Sequence, residues 1–190
     1  FNSDAIEYIT IASEGNSLDF GNMTDSRYYT ASASSSTRSV TMGGHTPGSS
    51  TNSMEYVEIT SLGNAIDFGD MSAARLTDGS AFSSPIEAFV CGGHPAANET
   101  YEVLRIASTG SSVAGDKMSS GNQWPGAGCS NSTRGIWAGG ANGSNVYTKE
   151  IRYITMASKG NTQFFGDLSN TSQGGGGAGS NATRGIISFG

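Results

Sequence analysis

Two histidines, His45 and His94, are the side chains in this 190-residue chain best suited to acid–base work or metal ligation near neutral pH. Both directly follow a glycine pair, Gly43-Gly44 and Gly92-Gly93, so both belong in loops. No carboxylate or thiolate is spaced with either one to complete a metal-ligand set. The two cysteines, Cys91 and Cys129, lack a C-x-x-C spacing and are too few for a disulfide framework; two small buried thiols are expected. Asp19 and Asp67 occupy matching places before Phe20 and Phe68, as repeated calcium ligands would. Their counterparts, however, are Ala114 and Phe164, so a turn or hydrogen-bonding role is expected. The Gly174–Gly177 run lacks the Lys-Ser/Thr that a phosphate loop needs. No catalytic residue, metal or cofactor is therefore expected.

Charge narrows the partners. The formal net charge is −6, from 10 basic and 16 acidic residues, and the basic residues form no stripe. Phosphate neutralisation by Lys and Arg drives nucleic-acid binding, so no nucleic-acid partner is expected. No apolar run approaches the roughly 18 residues of a membrane-spanning helix, so no membrane insertion is expected. Glycine is abundant at 28 residues and only 14% of residues are charged. The apolar residues come in short, evenly spaced runs, the pattern of many short strands joined by tight turns.

Those runs repeat. Ile6–Ser13, Met54–Ser61, Tyr101–Ser108 and Ile151–Ser158 align, and each leads to a glycine: Gly15, Gly63, Gly110 and Gly160. A period of about fifty residues is the signature of a propeller or solenoid. Each unit reads as four strands. The first is small and polar, as in Tyr28–Ser35. The second ends in the glycine pair, the third is the Ile6–Ser13 type, and the fourth is the Asn16–Met23 type. Two-residue alternation in the third strand sets Ile9, Ile11, Val57, Ile59, Leu104, Ile106, Ile154 and Met156 on one face. That face is expected to be buried between neighbouring units.

The order of these strands, with the Met23-x-x-x-Arg27 and Met71-x-x-x-Arg75 junctions, resembles Kelch repeats. The phrases Ile6–Ser13 followed by Gly15-Asn16-x-x-Asp19-Phe20-Gly21, and Thr133-Arg134-Gly135 leading to Gly139-Gly140, resemble Kelch-like repeats of bacteriophage structural proteins, marine ones in particular. The third copy departs from the pattern, with Val113-Ala114-Gly115-Asp116 in place of Asp-Phe-Gly and Asn122 near the expected Arg. The fourth has Ser172 at the Arg position.

The expected fold is all-β: one four-bladed Kelch-like β-propeller domain with blades near 25–72, 73–119 and 120–169. Segments 170–190 and 1–24 are expected to close the fourth blade together, which removes open sheet edges. The resemblance implies a non-enzymatic virion structural or binding module, tail- or fibre-associated and extracellular. Its partners would be host-surface glycan or another virion subunit, with a homo-oligomer as a further possibility. A carbohydrate-active enzyme or oxidase on the same scaffold is the alternative. Loops between second and third strands differ in length between units and share a rim with the unit-to-unit junctions, and recognition usually resides in such loops. The expected ligand-binding residues on that rim are His45, His94, Asn142, Tyr147, Arg27, Arg75 and Trp124.

Overall fold

The computed structural model describes residues 3–94, 100–118, 122–124, 126–142, 144, 146–172 and 176–189, with 122–124 described in the backbone alone. Among these residues there is no helix; the chain is built of small antiparallel sheets. An N-terminal hairpin pairs β1 (Ala5–Tyr8) with β2 (Leu18–Asn22). The first full sheet follows from β3 (Ala31–Ser34) and β4 (Arg38–Met42). A ribbon of β5 (His45–Thr46) and β6 (Ser49–Ser50) interrupts it, and β7 (Ser53–Glu58) and β8 (Ile66–Asp70) complete it. The second contains β9 (Ala81–Ser83), β10 (Glu87–Cys91), β11 (Thr100–Arg105) and β12 (Val113–Lys117).

A short β13 (Asn122–Trp124) leads into the third sheet, made of β14 (Ala127–Ser130) and β15 (Arg134–Ala138), then β17 (Thr148–Thr155) and β18 (Gln163–Ser172); β16 (Ala141–Asn142) pairs with β13. A C-terminal hairpin of β19 (Gly177–Ser180) and β20 (Gly185–Ser188) ends the chain. Within each full sheet the strands lie side by side in chain order, as tight turns between successive antiparallel strands require.

The sheets stack face to face. Val40, Met42 and Met54 of the first sheet pack with Ala88, Val90, Leu104 and Ile106 of the second in one core. Phe89, Cys91, Tyr101 and Val103 pack with Trp137, Ile154 and Met156 in the next. First strands stand beside one another, and their small residues allow the approach: a Cβ on Gly128 would lie 2.6 Å from Ala81 O. A serine ladder ties them. Ser83 Oγ donates to Ser34 O at 2.8 Å, Ser130 Oγ to Ser83 O at 2.7 Å, and Ser180 Oγ to Ser130 O at 2.5 Å.

Two expectations need correction. The segments at the chain ends do not share a sheet: β1–β2 and β19–β20 are separate two-stranded sheets, the first packed on the first full sheet and the second on the third. The third-strand aliphatics are also not uniformly buried. Leu104, Ile106, Ile154 and Met156 are, whereas Val57 is half-buried and Ile59, Ile9 and Ile11 are 45%, 63% and 95% exposed. The cause is directional. This face looks toward the preceding sheet, so its cover depends on what precedes it. A full sheet precedes Leu104 and Ile154, only a two-stranded hairpin precedes Val57, and nothing in the described chain precedes Ile9.

Candidate functional site

In each unit the glycine pair turns the second strand back toward the junction that precedes the same sheet. Gly43 and Gly44 have φ of +61° and +100°, values that a side chain disfavours. A Cβ on Gly44 would also lie 2.8 Å from Tyr28 O. The turn therefore sets His45 beside Tyr28, with His45 N to Tyr28 O at 2.8 Å and Tyr28 N to His45 O at 3.1 Å. His94 bridges to Leu76 in the same manner, and Ala141 pairs with Trp124. Of the His94–Thr100 loop, residues 95–99 lie outside the described residues, as does the Trp124 side chain; so do Gly174 and Gly175.

The rim over the first sheet is aromatic. The Tyr28 and His45 rings stack at 5.1 Å with 26° between planes, and Tyr28 meets Tyr29 edge to face at 4.9 Å. Tyr28 is 37% and Tyr29 51% exposed. His45 Nδ1 donates to Thr46 O at 2.5 Å, which fixes the ring and turns Nε2 away from that bond. Tyr29 has φ of +56°, a left-handed conformation that costs a residue with a Cβ roughly 1–2 kcal/mol. Its carbonyl is held there by the next junction: Thr77 N and Asp78 N donate to Tyr29 O at 2.9 and 3.0 Å. Neither Tyr28 nor Tyr29 was singled out in the sequence reading. The signal was available in the Tyr-Tyr pair directly after the Arg27 junction.

The other expected rim residues divide. Tyr147 is 41% exposed and bridges to Ala141. Asn142 Oδ1 accepts from Ser144 N and Val146 N, both at 3.0 Å, so it shapes its own loop. Arg27 and Arg75 do not belong to a surface site. Their side chains are 0% exposed and pair with Glu55 and Glu102, themselves 1% exposed, at 2.9 and 2.7 Å. Each Arg comes from the junction before a sheet and its Glu from that sheet's third strand, so each pair locks a junction to its sheet. Burial opposes ionisation of Glu102, but the Arg75 charge and hydrogen bonds from Ser112 and Ser72 outweigh it and hold the carboxyl below its ordinary value. In the third sheet both partners change: Asn122 stands at the Arg position and Arg152 at the Glu position. Arg152 Nη1 donates to Met118 O at 3.4 Å instead. Asp19 and Asp67 lie within β2 and β8, opposite Glu7 and Glu55, rather than in turns.

A second cleft, of about 530 Å³, lies on the opposite rim, among residues that include Tyr101, Val103, Asp116, Glu87 and Lys159. It follows from the third copy's departure. Tyr8–Phe20, Tyr56–Phe68 and Tyr153–Phe165 are edge-to-face pairs, but the second sheet has Val103 and Gly115 there. Tyr101 swings over Gly115, where a Cβ would fall 2.1 Å from its ring, and its hydroxyl donates to Gly160 O at 3.0 Å. Lys159 Nζ and Glu87 Oε1 pair at 3.0 Å across this gap. Cys91 and Cys129 are free and buried, and burial pushes the Cys91 thiol up to about 12. No protein-family model matches the chain, and no curated protein matches it significantly.

Proposed function

We propose that this chain is a non-enzymatic structural and binding module of a bacteriophage virion, tail- or fibre-associated, whose stacked sheets are Kelch-like propeller blades. Its aromatic rim contacts host-surface glycan. The virion assignment rests on the resemblance of the repeat phrases. The glycan reading is carried by one observation: Tyr28 joins His45 and Tyr29 in an aromatic group whose two tyrosines are exposed, and Tyr29, at its end, is held in a strained left-handed conformation. Strain of this kind concentrates at functional sites. Aromatic faces offer sugars an apolar surface, and the Tyr hydroxyls and imidazole supply hydrogen bonds to sugar hydroxyls.

The test is a glycan array with the wild-type chain and Tyr29→Ala, alongside mass spectrometry of purified particles. Loss of one hot-spot ring weakens binding about tenfold or more. Unchanged glycan binding in a folded Tyr29→Ala variant rejects this rim, and absence of the protein from particles rejects the virion role.

A further inference from the structure

The cleft beside the second sheet lies where the neighbouring sheets hold a stacked ring. In the first sheet Arg38 Cζ stands 4.0 Å over the Tyr56 ring, and Tyr56 meets Phe68 edge to face at 6.0 Å. The third sheet repeats the set: Arg134 Cζ stands 4.7 Å over Tyr153, which meets Phe165 at 6.1 Å. The repeat carries these three places to Glu87, Val103 and Gly115 in the second sheet. All three line the cleft of about 530 Å³, a volume in the range of small-ligand pockets. The Phe place is refilled by Tyr101, whose ring leaves no room for a Cβ on Gly115. The Tyr place is not refilled, because Val103 has no ring to put there.

The cation that belongs over this place comes from the next sheet. Arg38 Nη1 reaches from the first sheet to the second and donates to Ile106 O at 3.0 Å. Glu87 reverses the charge at the equivalent position and takes Lys159 Nζ from the third sheet at 3.0 Å. Lys159 sits on a rebuilt turn. Gly63 N and Ala65 N donate to Phe20 O and Asn22 O of the preceding sheet at 2.9 and 2.8 Å, and Gly110 N and Ser112 N to Phe68 O and Asp70 O at 2.6 and 3.0 Å. Among the described residues the turn at Gly160 keeps only the second of these bonds, Thr162 N to Lys117 O at 2.9 Å. In place of the first, Gly160 O accepts from the Tyr101 hydroxyl at 3.0 Å. Lys159 has φ of +58°, a left-handed conformation that its counterparts Leu62 and Thr109 do not adopt. Such strain clusters at ligand clamps. The charges lining the cleft balance, Lys159 and Arg105 against Glu87 and Asp116, so a neutral occupant is favoured over an ion.

We propose that this cleft binds the phenol ring of a small aromatic ligand. The ring takes the place that Tyr56 and Tyr153 fill in their own sheets, with Val103 beneath it and the Lys159 ammonium over its face. An ammonium over an electron-rich ring is attracted to it, and Glu87 holds the ammonium there. The site lies on the rim opposite Tyr28, Tyr29 and His45 and does not rest on the glycan reading.

The probe is p-cresol, titrated into the wild-type chain and followed by amide NMR. Saturable shifts are expected at Val103, Gly115 and Gly160 and not at Tyr28 or Tyr29. Methylcyclohexanol, which has a similar outline without the π face, is expected to bind more weakly. Val103→Tyr installs the residue of the neighbouring sheets and is expected to abolish binding. Lys159 is exposed, so Lys159→Met tests the same contact even where Val103→Tyr does not fold; it is expected to weaken binding about two- to fivefold. Absence of saturable shifts at the cleft overturns the proposal, as does equal affinity for methylcyclohexanol or undiminished binding by a folded variant of either kind. N-acetyltyrosinamide separates the two sources of such a ring: binding by it and not by p-cresol overturns the proposal in favour of a tyrosine side chain on a partner polypeptide.

Discussion

The buried Arg75–Glu102 pair makes the most decisive prediction about what holds successive units together. Replacing Glu102 with Gln keeps the shape but removes the charge. The Arg75 side chain is 0% exposed and cannot reach water to recover the lost interaction. The Gln Oε1 can still accept from Arg75 Nη2, which sits 2.7 Å from Glu102 Oε1 in the wild type. Its amide nitrogen cannot accept, so the bonds from Ser72 N and Ser112 Oγ to Oε2 are lost. An uncompensated buried charge costs about 3–5 kcal/mol. In a chain of this length that lowers Tm by roughly 6–20 °C.

The surface pair Arg38–Glu58, with Glu58 42% exposed, serves as a reference; breaking it costs about 0–1 kcal/mol. The acid limb supplies an independent readout. Glu102 is held below its ordinary 4.5, so its stabilising contribution is full above that pH and is lost as pH falls through the lower folded-state value. Glu102→Gln therefore flattens the acid limb as well as lowering the plateau. The assay is urea denaturation followed by circular dichroism across acidic to neutral pH. A Glu102→Gln loss no larger than that of Glu58→Gln, with an unchanged acid limb, refutes the view that the pair locks junction to sheet.

Two further outcomes test the packing. Ile106 is 1% exposed and Ile59 45% exposed at equivalent positions, so Ile106→Ala should cost about 2–5 kcal/mol and Ile59→Ala well under half of that in the monomeric chain; equal losses by denaturant melt would mean that the preceding sheet does not govern burial. With the Cys91 thiol pushed up to about 12 and both cysteines buried, native protein should not react with a thiol reagent at pH 8 until it is unfolded; rapid titration of a thiol in the native state would contradict this.

Strands were legible because their signals are local. Alternation in Met54–Ser61 and Tyr101–Ser108 defines two faces by the pleat alone, and the glycine pairs mark turns that need positive φ. Repetition then gave the four-strand order of each full sheet. The rim was legible in part: His45 falls where the glycine pair predicts, but Tyr29 acquires its role only from its left-handed backbone. That conformation is set by amides of Thr77 and Asp78, which lie in the next unit.

Arg27 and Arg75 read as exposed cations because a guanidinium is normally solvated. Only folding brings Glu55 and Glu102 from a distant strand to neutralise them in the interior. Ile11 and Ile106 occupy the same place in the repeat and differ from 95% to 1% exposure. Which residues share a face was readable from the strand sequences alone, because side-chain direction follows from local backbone geometry. Which faces are covered emerges on folding, because cover comes from a neighbouring sheet about fifty residues away in the chain: Leu104 and Ile106 pack on the first full sheet, and Ile154 and Met156 on the second.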